Sequence, residues 1–445
     1  MKIKTLVRNP DEYIRETKHD IHKIHRNYDP SLHPFEVARE YTRALNSVKL
    51  ERVFAKPFIC SLDGHRDAVY TLAKHPERIS WLFSGSCDGE LRIWDVAARK
   101  HLNTIHAHDG YIRGIAFTVE GSAFYTIGDD KTIRRWKCET PLEGNIEEVV
   151  STNISKSMLL SISHHWRDAK YATAGEVCQI WEESRAQPIR SFTWGVDSLH
   201  QVRFNPIETN ILSACASDRS VILYDMREKK PLRKVVMKLK CNALSWNPME
   251  AFTFTVANED YHLYSFDMRN LNAPMNVHKD HTSAVIDVDY SPTGKEFVSG
   301  SYDKTIRIFE ADKGHSRDIY HTKRMQRITC VLWSNDDKYI MSGSDEMNIR
   351  MWKARASEKL GVVKERERVA LNSAAKLKEK FAAHPQIKRI ARHRQVPRHV
   401  FNAKKELKAM VQSRARKEAN RRAHSKPGTV PYVPERQKHV VREDE

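Results

Sequence analysis

From residue 54 to residue 352 the chain alternates apolar and polar positions in short runs, each bounded by glycine, serine, aspartate or proline. Leu91 and Ile93 flank Arg92, and Ile306 and Ile308 flank Arg307. A period of two marks half-buried strands. One strand in each group ends on an aromatic side chain: Trp94, Trp136, Trp181, Tyr224, Phe266, Phe309 and Trp352, at gaps of 42, 45, 43, 42, 43 and 43 residues. Six positions earlier stand Asp88, Asp130, Asp218, Asp260, Asp303 and Glu346; only the third unit departs, with Gly175. Gly64-His65, Ala107-His108 and Asp280-His281 open the first, second and sixth units. A period near 40–45 with four short strands per unit predicts an all-β, seven-bladed propeller over residues 54–352. Phe54 to Leu62 reads as a strand that completes the last blade and closes the ring, hiding its edges.

The flanks follow a different rhythm. In the N-terminal arm, residues 1–53, a helix is expected from His33-Pro34-Phe35 to about Lys49, with Val37, Tyr41, Ala44 and Val48 on one face. In the tail, residues 353–445, Ala370, Ala374, Leu377 and Phe381 space out an amphipathic helix ending at His384-Pro385. A short helix is expected over Gln386 to Arg394, and a third over Arg398 to His424, stopped by Lys426-Pro427-Gly428. The third has a narrow apolar stripe, Val400, Leu407 and Val411, too thin to make a core and suited to docking on another surface.

Charge sharpens this division. The chain of 445 residues has a formal net charge of +18, and residues 353–445 hold 26 Lys and Arg against 10 Asp and Glu, a net of +16. The ring and arm together are therefore nearly neutral. Such asymmetry points to an anionic partner, nucleic acid first, although a solvated helix would show the same charge run. The candidate RNA contacts are Lys388, Arg389, Arg392, Arg394, Arg398, Lys404, Lys405, Arg414, Arg416, Arg421 and Arg422. Arg-rich helices of this kind often order on RNA, and Arg414 to Arg422 also has the composition of a nuclear-import signal.

The remaining composition excludes other classes. Seven scattered cysteines with no CxxC pair argue against a disulfide framework and a structural zinc site, and favour a reducing compartment. His19, His22 and His25 lack carboxylate or thiolate support, so no metal site is expected there. The charged N-terminus shows no secretory signal, and no apolar run is long enough to span a membrane. Phosphate loops, zinc-protease motifs, dinucleotide fingerprints and nucleophile elbows are all missing, so we expect no enzyme, no cofactor and no small-molecule substrate.

The repeats resemble those of WD-repeat propellers, in which a His, a Ser or Thr, an Asp and a Trp share a buried hydrogen-bonded network. The matching residues are His65, Ser84, Asp88 and Trp94 in blade one and His108, Thr126, Asp130 and Trp136 in blade two. A pair that recurs with the period reads as architecture, not catalysis. The flanks add a sharper likeness. Arg8 to Asp11 (RNPD), Arg26 to Pro30 (RNYDP), His33 to Val37 (HPFEV), Lys49 to Phe58 (KLERVFAKPF), Lys388 to Arg394 (KRIARHR) and His424 to Gly428 (HSKPG) resemble the WD-repeat and SOF-domain proteins over essentially the whole chain. That resemblance implies a nucleolar scaffold of the small-subunit processome, which works on pre-rRNA with a box C/D small nucleolar ribonucleoprotein toward 18S rRNA. Tyr224-Asp225-Met226-Arg227 and Phe266-Asp267-Met268-Arg269 resemble the WDxR motif of substrate receptors that dock on the cullin-4 RING ligase adaptor. A local strand-to-turn ion pair of little energetic weight explains the same two motifs.

Overall fold

A computed structural model describes residues 31, 34–138, 149–195 and 197–444. His19, His22 and His25, and the motifs at Arg8 to Asp11 and Arg26 to Pro30, lie outside the described residues.

Among the described residues seven antiparallel sheets follow one another along the chain, each of four consecutive strands except blade seven, at the point of closure, and blade four, which gains a fifth strand from the C-terminal end. Blade one comprises Val69–Lys74, Trp81–Ser86, Glu90–Asp95 and Lys100–His106, and the pattern repeats through blade six, which ends at Ser316–Tyr320. Blade seven takes three strands from Ile328 to Lys353 and its outermost strand, Phe58–Asp63, from the N-terminal side. Phe58 pairs with Trp352 and Leu62 with Ile349. Closure is thus by an N-terminal strand, as the alternation predicts, except that Phe54 to Pro57 stays outside it. Leu62, Val69, Leu82, Trp94, Cys330, Met341 and Ile349 bury each other across the junction of blades seven and one, so the ring joins through a packed core.

Second strands such as Trp81–Ser86, Ala123–Gly128 and Ile211–Ala216 are buried at every position. Each lies between a strand on either side and a blade on either face, which is why these segments lose the alternation seen elsewhere. The Asp before each aromatic has a constant task. Its carboxylate accepts the N–H two residues on, at 3.2 Å for Asp88, 3.1 Å for Asp130, Asp218 and Asp260, and 3.0 Å for Asp303. The intervening residue is left-handed, with φ of 83° at Gly89, 62° at Lys131 and 62° at Lys304. A non-glycine residue there costs about 1 kcal/mol, and the aspartate cap offsets it.

The helices do not sort as arm and tail. Glu36–Val53 (α1), Glu365–Lys380 (α2) and Pro385–Ala391 (α3) belong to one compact unit, made of the described residues up to Pro57 with Arg355–Arg394. Ala44, Val48 and Ile387 are buried in it, with Tyr41, Leu45, Leu377, Phe381 and Ile390 packed around them. Lys378 pairs with Glu51 at 2.8 Å and Lys380 with Glu40 at 2.6 Å. The expected division into residues 1–53 and 353–445 is corrected accordingly. Each stripe is too narrow to make a core alone, and the two cover one another. Val37 and Ala370, expected on the inner faces, are exposed.

Phe58–Ala354 and Gln395–Glu445 form the second compact unit. It holds the ring, the helix Arg398–Ala423 (α4) and a short C-terminal strand, Val440–Asp444, added to the outer strand Pro231–Met237 of blade four. Among the described residues no helix is long and apolar enough to cross a membrane.

Candidate functional site

The blade networks decide whether the ring's His and Asp residues do chemistry. In blade two His108 is fully buried. Its Nδ1 lies 3.0 Å from Asp130, its Nε2 2.8 Å from Thr126 Oγ1, and Trp136 Nε1 donates to the same hydroxyl at 2.9 Å. Blade six repeats this with His281, Asp303 and Ser299, and Phe309 in the aromatic place. Blade one departs from the expected network. His65 reaches Ser84 at 2.6 Å, and Trp94 donates to Ser84, but Asp88 bonds to Ser86 and the Glu90 N–H in place of His65. Burial, followed by the nearby Arg92, pushes the His65 pKa down to about 4, so it is neutral at pH 7. In blades two and six these groups satisfy one another, whereas in blade one His65 Nδ1 is buried without a partner, and among the described residues no cluster of His, Cys, Asp or Glu could hold a metal ion.

α4 is built for a different purpose. Its 26 residues are rich in Ala, Lys, Arg, Glu, Leu and Met, all strong helix formers. Pro397 precedes it, where a missing N–H costs nothing, and Arg421 and Arg422 in the last turn complement the helix dipole. The first turns meet the ring. Val400 is fully buried, Ala403 and Leu407 are half-buried, and His399 Nε2 lies 3.4 Å from the Asp303 carbonyl. Lys404 Nζ lies 2.5 Å from Asp280, a buried carboxylate. Burial alone raises the Asp280 pKa, but Lys404, Arg307 and the Ser316 N–H together hold it well below the usual range. Past Leu407 the stripe is no longer covered. Met410 and Val411 are more than half exposed, so the expected stripe docks by its first half only.

The candidate RNA residues fall into two sets. Lys388, Arg389, Arg392 and Arg394 belong to the helical unit, on α3 and just after it. Arg398, Lys404, Lys405, Arg414, Arg416, Arg421 and Arg422 belong to α4. Arg398, Lys405, Arg414, Arg416 and Arg421 are exposed, whereas the Lys404 ammonium is held by Asp280. The half-buried Arg422 lies over the Tyr432 ring at 5.0 Å.

On the ring, Asp225 and Arg227 form a forked pair with distances of 2.8–3.1 Å, and Asp267 and Arg269 one of 2.8–3.3 Å. The arginine side chains are 67% and 63% exposed, so each presents a guanidinium at the surface already oriented by its aspartate. Burial raises the Asp225 pKa and Arg227 more than reverses it; at Asp267 the Arg269 hydrogen bond is the main cause of the lowering. The preceding blade steadies each turn. Arg190 donates to the Met226 and Glu228 carbonyls, and Arg233 to the Arg269 carbonyl at 2.6 Å.

Residues 435–444 were not among the sequence candidates. Glu435 pairs with Lys279, Lys438 with Glu418 at 3.0 Å, and His439 Nδ1 lies 2.8 Å from Tyr264 Oη. The one signal in the sequence is indirect: blade five has an Asp260 but Lys238 where blades two and six have histidine.

Comparison with known proteins fits both flank and ring. Residues 354–440 match the Sof1-like domain, and residues 56–95, 99–137, 272–310 and 314–353 match the WD domain, G-beta repeat. The chain is 59% identical over 442 residues to a Danio rerio protein named "DDB1- and CUL4-associated factor 13", covering 99% of each. It is 59% identical over 441 residues to the Homo sapiens protein of that name, again covering 99% of each. The chain belongs to the Sof1-like family of WD-repeat proteins. "Protein SOF1" of Saccharomyces cerevisiae is 42% identical over 464 residues, covering 99% of this chain and 94% of that protein. The four matched repeats are blades one, two, six and seven; in the unmatched middle blades of this Sof1-like chain Gly175 takes the Asp place of blade three, and Tyr224 and Phe266 the Trp place of blades four and five.

Proposed function

We propose that this protein is a non-enzymatic, nucleolar scaffold of the small-subunit processome that holds pre-rRNA along the exposed face of α4, in company with processome proteins and the box C/D small nucleolar ribonucleoprotein. One observation carries the reading. α4 has nine Lys and Arg against two Glu in 26 residues, is seated on the ring by its first turns, and leaves its distal cations in solvent. When such cations neutralise phosphates they release condensed counterions, so binding falls steeply with salt. The test is the triple substitution Arg414→Gln, Arg416→Gln, Arg421→Gln, with affinity for single-stranded RNA measured across a salt series. Removing one phosphate-binding cation lowers the slope of log K against log salt by about 0.7, so the slope should fall by about 2. An unchanged affinity and slope would remove α4 from the RNA interface.

A second reading is favoured by the paired forks. Two neighbouring blades present the same preoriented arginine, the arrangement that a docking partner with a matching acidic or carbonyl-rich surface would engage. On this reading Asp225, Arg227, Asp267 and Arg269 contact the cullin-4 ligase adaptor. Arg227→Glu with Arg269→Glu should abolish co-purification of that adaptor; retained co-purification would show that the forks are local ion pairs only. The two readings use different surfaces and are compatible.

A further inference from the structure

We propose that residues 435–444 are a strap that completes blade five and holds the distal half of α4 against the ring, with His439 as its positioning residue. In blades two and six the network histidine stands 22 residues before the aspartate. In blade five that place is Lys238. Tyr264 is fully buried and Asp260 half-buried nonetheless, with the Tyr264 hydroxyl donating to the carboxylate. The missing imidazole comes from the far end of the chain. His439 Nδ1 lies 2.8 Å from Tyr264 Oη, 175 residues distant in sequence, and 3.4 Å from Asp260 Oδ2. With the Tyr264 hydroxyl donating to Asp260, an Nδ1–H of His439 donates to Tyr264 Oη and lies beside the carboxylate. The Lys238 N–H donates to the His439 carbonyl at 3.2 Å, so the strap runs past the spot where a blade would supply its own histidine.

The strap is anchored to the ring on both sides of His439. Val440–Asp444 pairs with Pro231–Met237, covering the edge of blade four, and Glu435 pairs with Lys279 of blade five. Its other face holds α4. Lys438 reaches Glu418 at 3.0 Å, and just ahead of the strap Tyr432 lies under Arg422. The direct packing of α4 on the ring stops near Leu407, so the half bearing Arg414 to Arg422 is positioned by the strap. This deepens the reading above by naming what aims the basic helix, and rests on that reading only for its purpose.

The test is hydrogen exchange of the full-length protein without RNA, so its failure is distinguishable from a failure of RNA binding. In His439→Ala the amides of 408–423 should exchange about tenfold faster or more, while the ring core stays protected. His439→Asn, which restores a side-chain N–H near the Nδ1 position, should recover the protection; a merely space-filling role predicts no such rescue. Lys438→Glu leaves blade five untouched, breaks the ion pair with Glu418, and should expose the same amides even if His439→Ala fails to fold. Unchanged exchange over 408–423 in Lys438→Glu, or in a chain ending at residue 434, would overturn the proposal.

Discussion

The ring and α4 share one compact unit and use charge in opposite ways. In the ring, His281 and Asp303, and Arg307 and Asp280, lie buried and face one another, and the buried His108 faces a half-buried Asp130. On α4 the cations outnumber the acids and most stand in solvent. Buried pairs are costly to break because each partner is left without compensation, whereas an exposed charge contributes little to stability and much to attraction of a polyanion. The contrast separates what folds the molecule from what it offers to a partner, and each side can be attacked alone.

The strongest attack on the ring side is Asp303→Ala. This carboxylate accepts from His281 at 2.9 Å and from Thr305 at 3.0 and 2.6 Å, and its loss should cost about 3–5 kcal/mol in urea unfolding. A cost below 1 kcal/mol would mean that the buried networks do not hold the blades. Next, acid should loosen the ring. Burial lowers the pKa of both His65 and His278 to about 4. Their unfolded values lie near 6.5, so the unfolded chain binds more protons between the two, and stability present above pH 6.5 is lost as pH falls toward 4. From pH 7.5 to pH 5.0 the loss should be about 2 kcal/mol for each histidine. His278→Gln, read by melting at the two pH values, should remove about half of this pair's part of the slope.

Val400 marks the boundary between the two regions. Val400→Ala should cost about 1–2 kcal/mol of docking energy, seen as faster exchange across 398–407 with the blades unmoved. The smallest stability effect belongs to the helix surface. Gln at Arg414, Arg416 and Arg421 should shift unfolding by less than about 0.5 kcal/mol while RNA affinity falls. A large stability loss there would erase the distinction between the two regions.

How much of this was legible in the sequence follows from the range of each interaction. The seven blades were, because most of each blade's strands and turns lie within one period and in five of them an Asp caps a turn two residues away. The closing strand was, because an alternating run before the first unit has one open edge to fill. The sharing of the tail was not. Nothing in the spacing of Leu377 and Phe381 says that Ala44 and Val48 cover them, since each helix shows only that it needs a partner. The strap was hidden for the same reason: His439 looks like one more polar residue until Asp260 and Tyr264 are seen beside it. In blade one the pattern overstated the network, because Ser86 sits close enough to take the carboxylate that His65 was expected to hold.

The central claim is that nucleic acid meets α4 and not the neutral ring. In-cell crosslinking of RNA to protein, with mapping of the crosslinked peptides, tests it most directly. The account predicts crosslinks concentrated in residues 398–424. Crosslinks confined to blade surfaces between residues 58 and 354, with α4 unmarked, would contradict it.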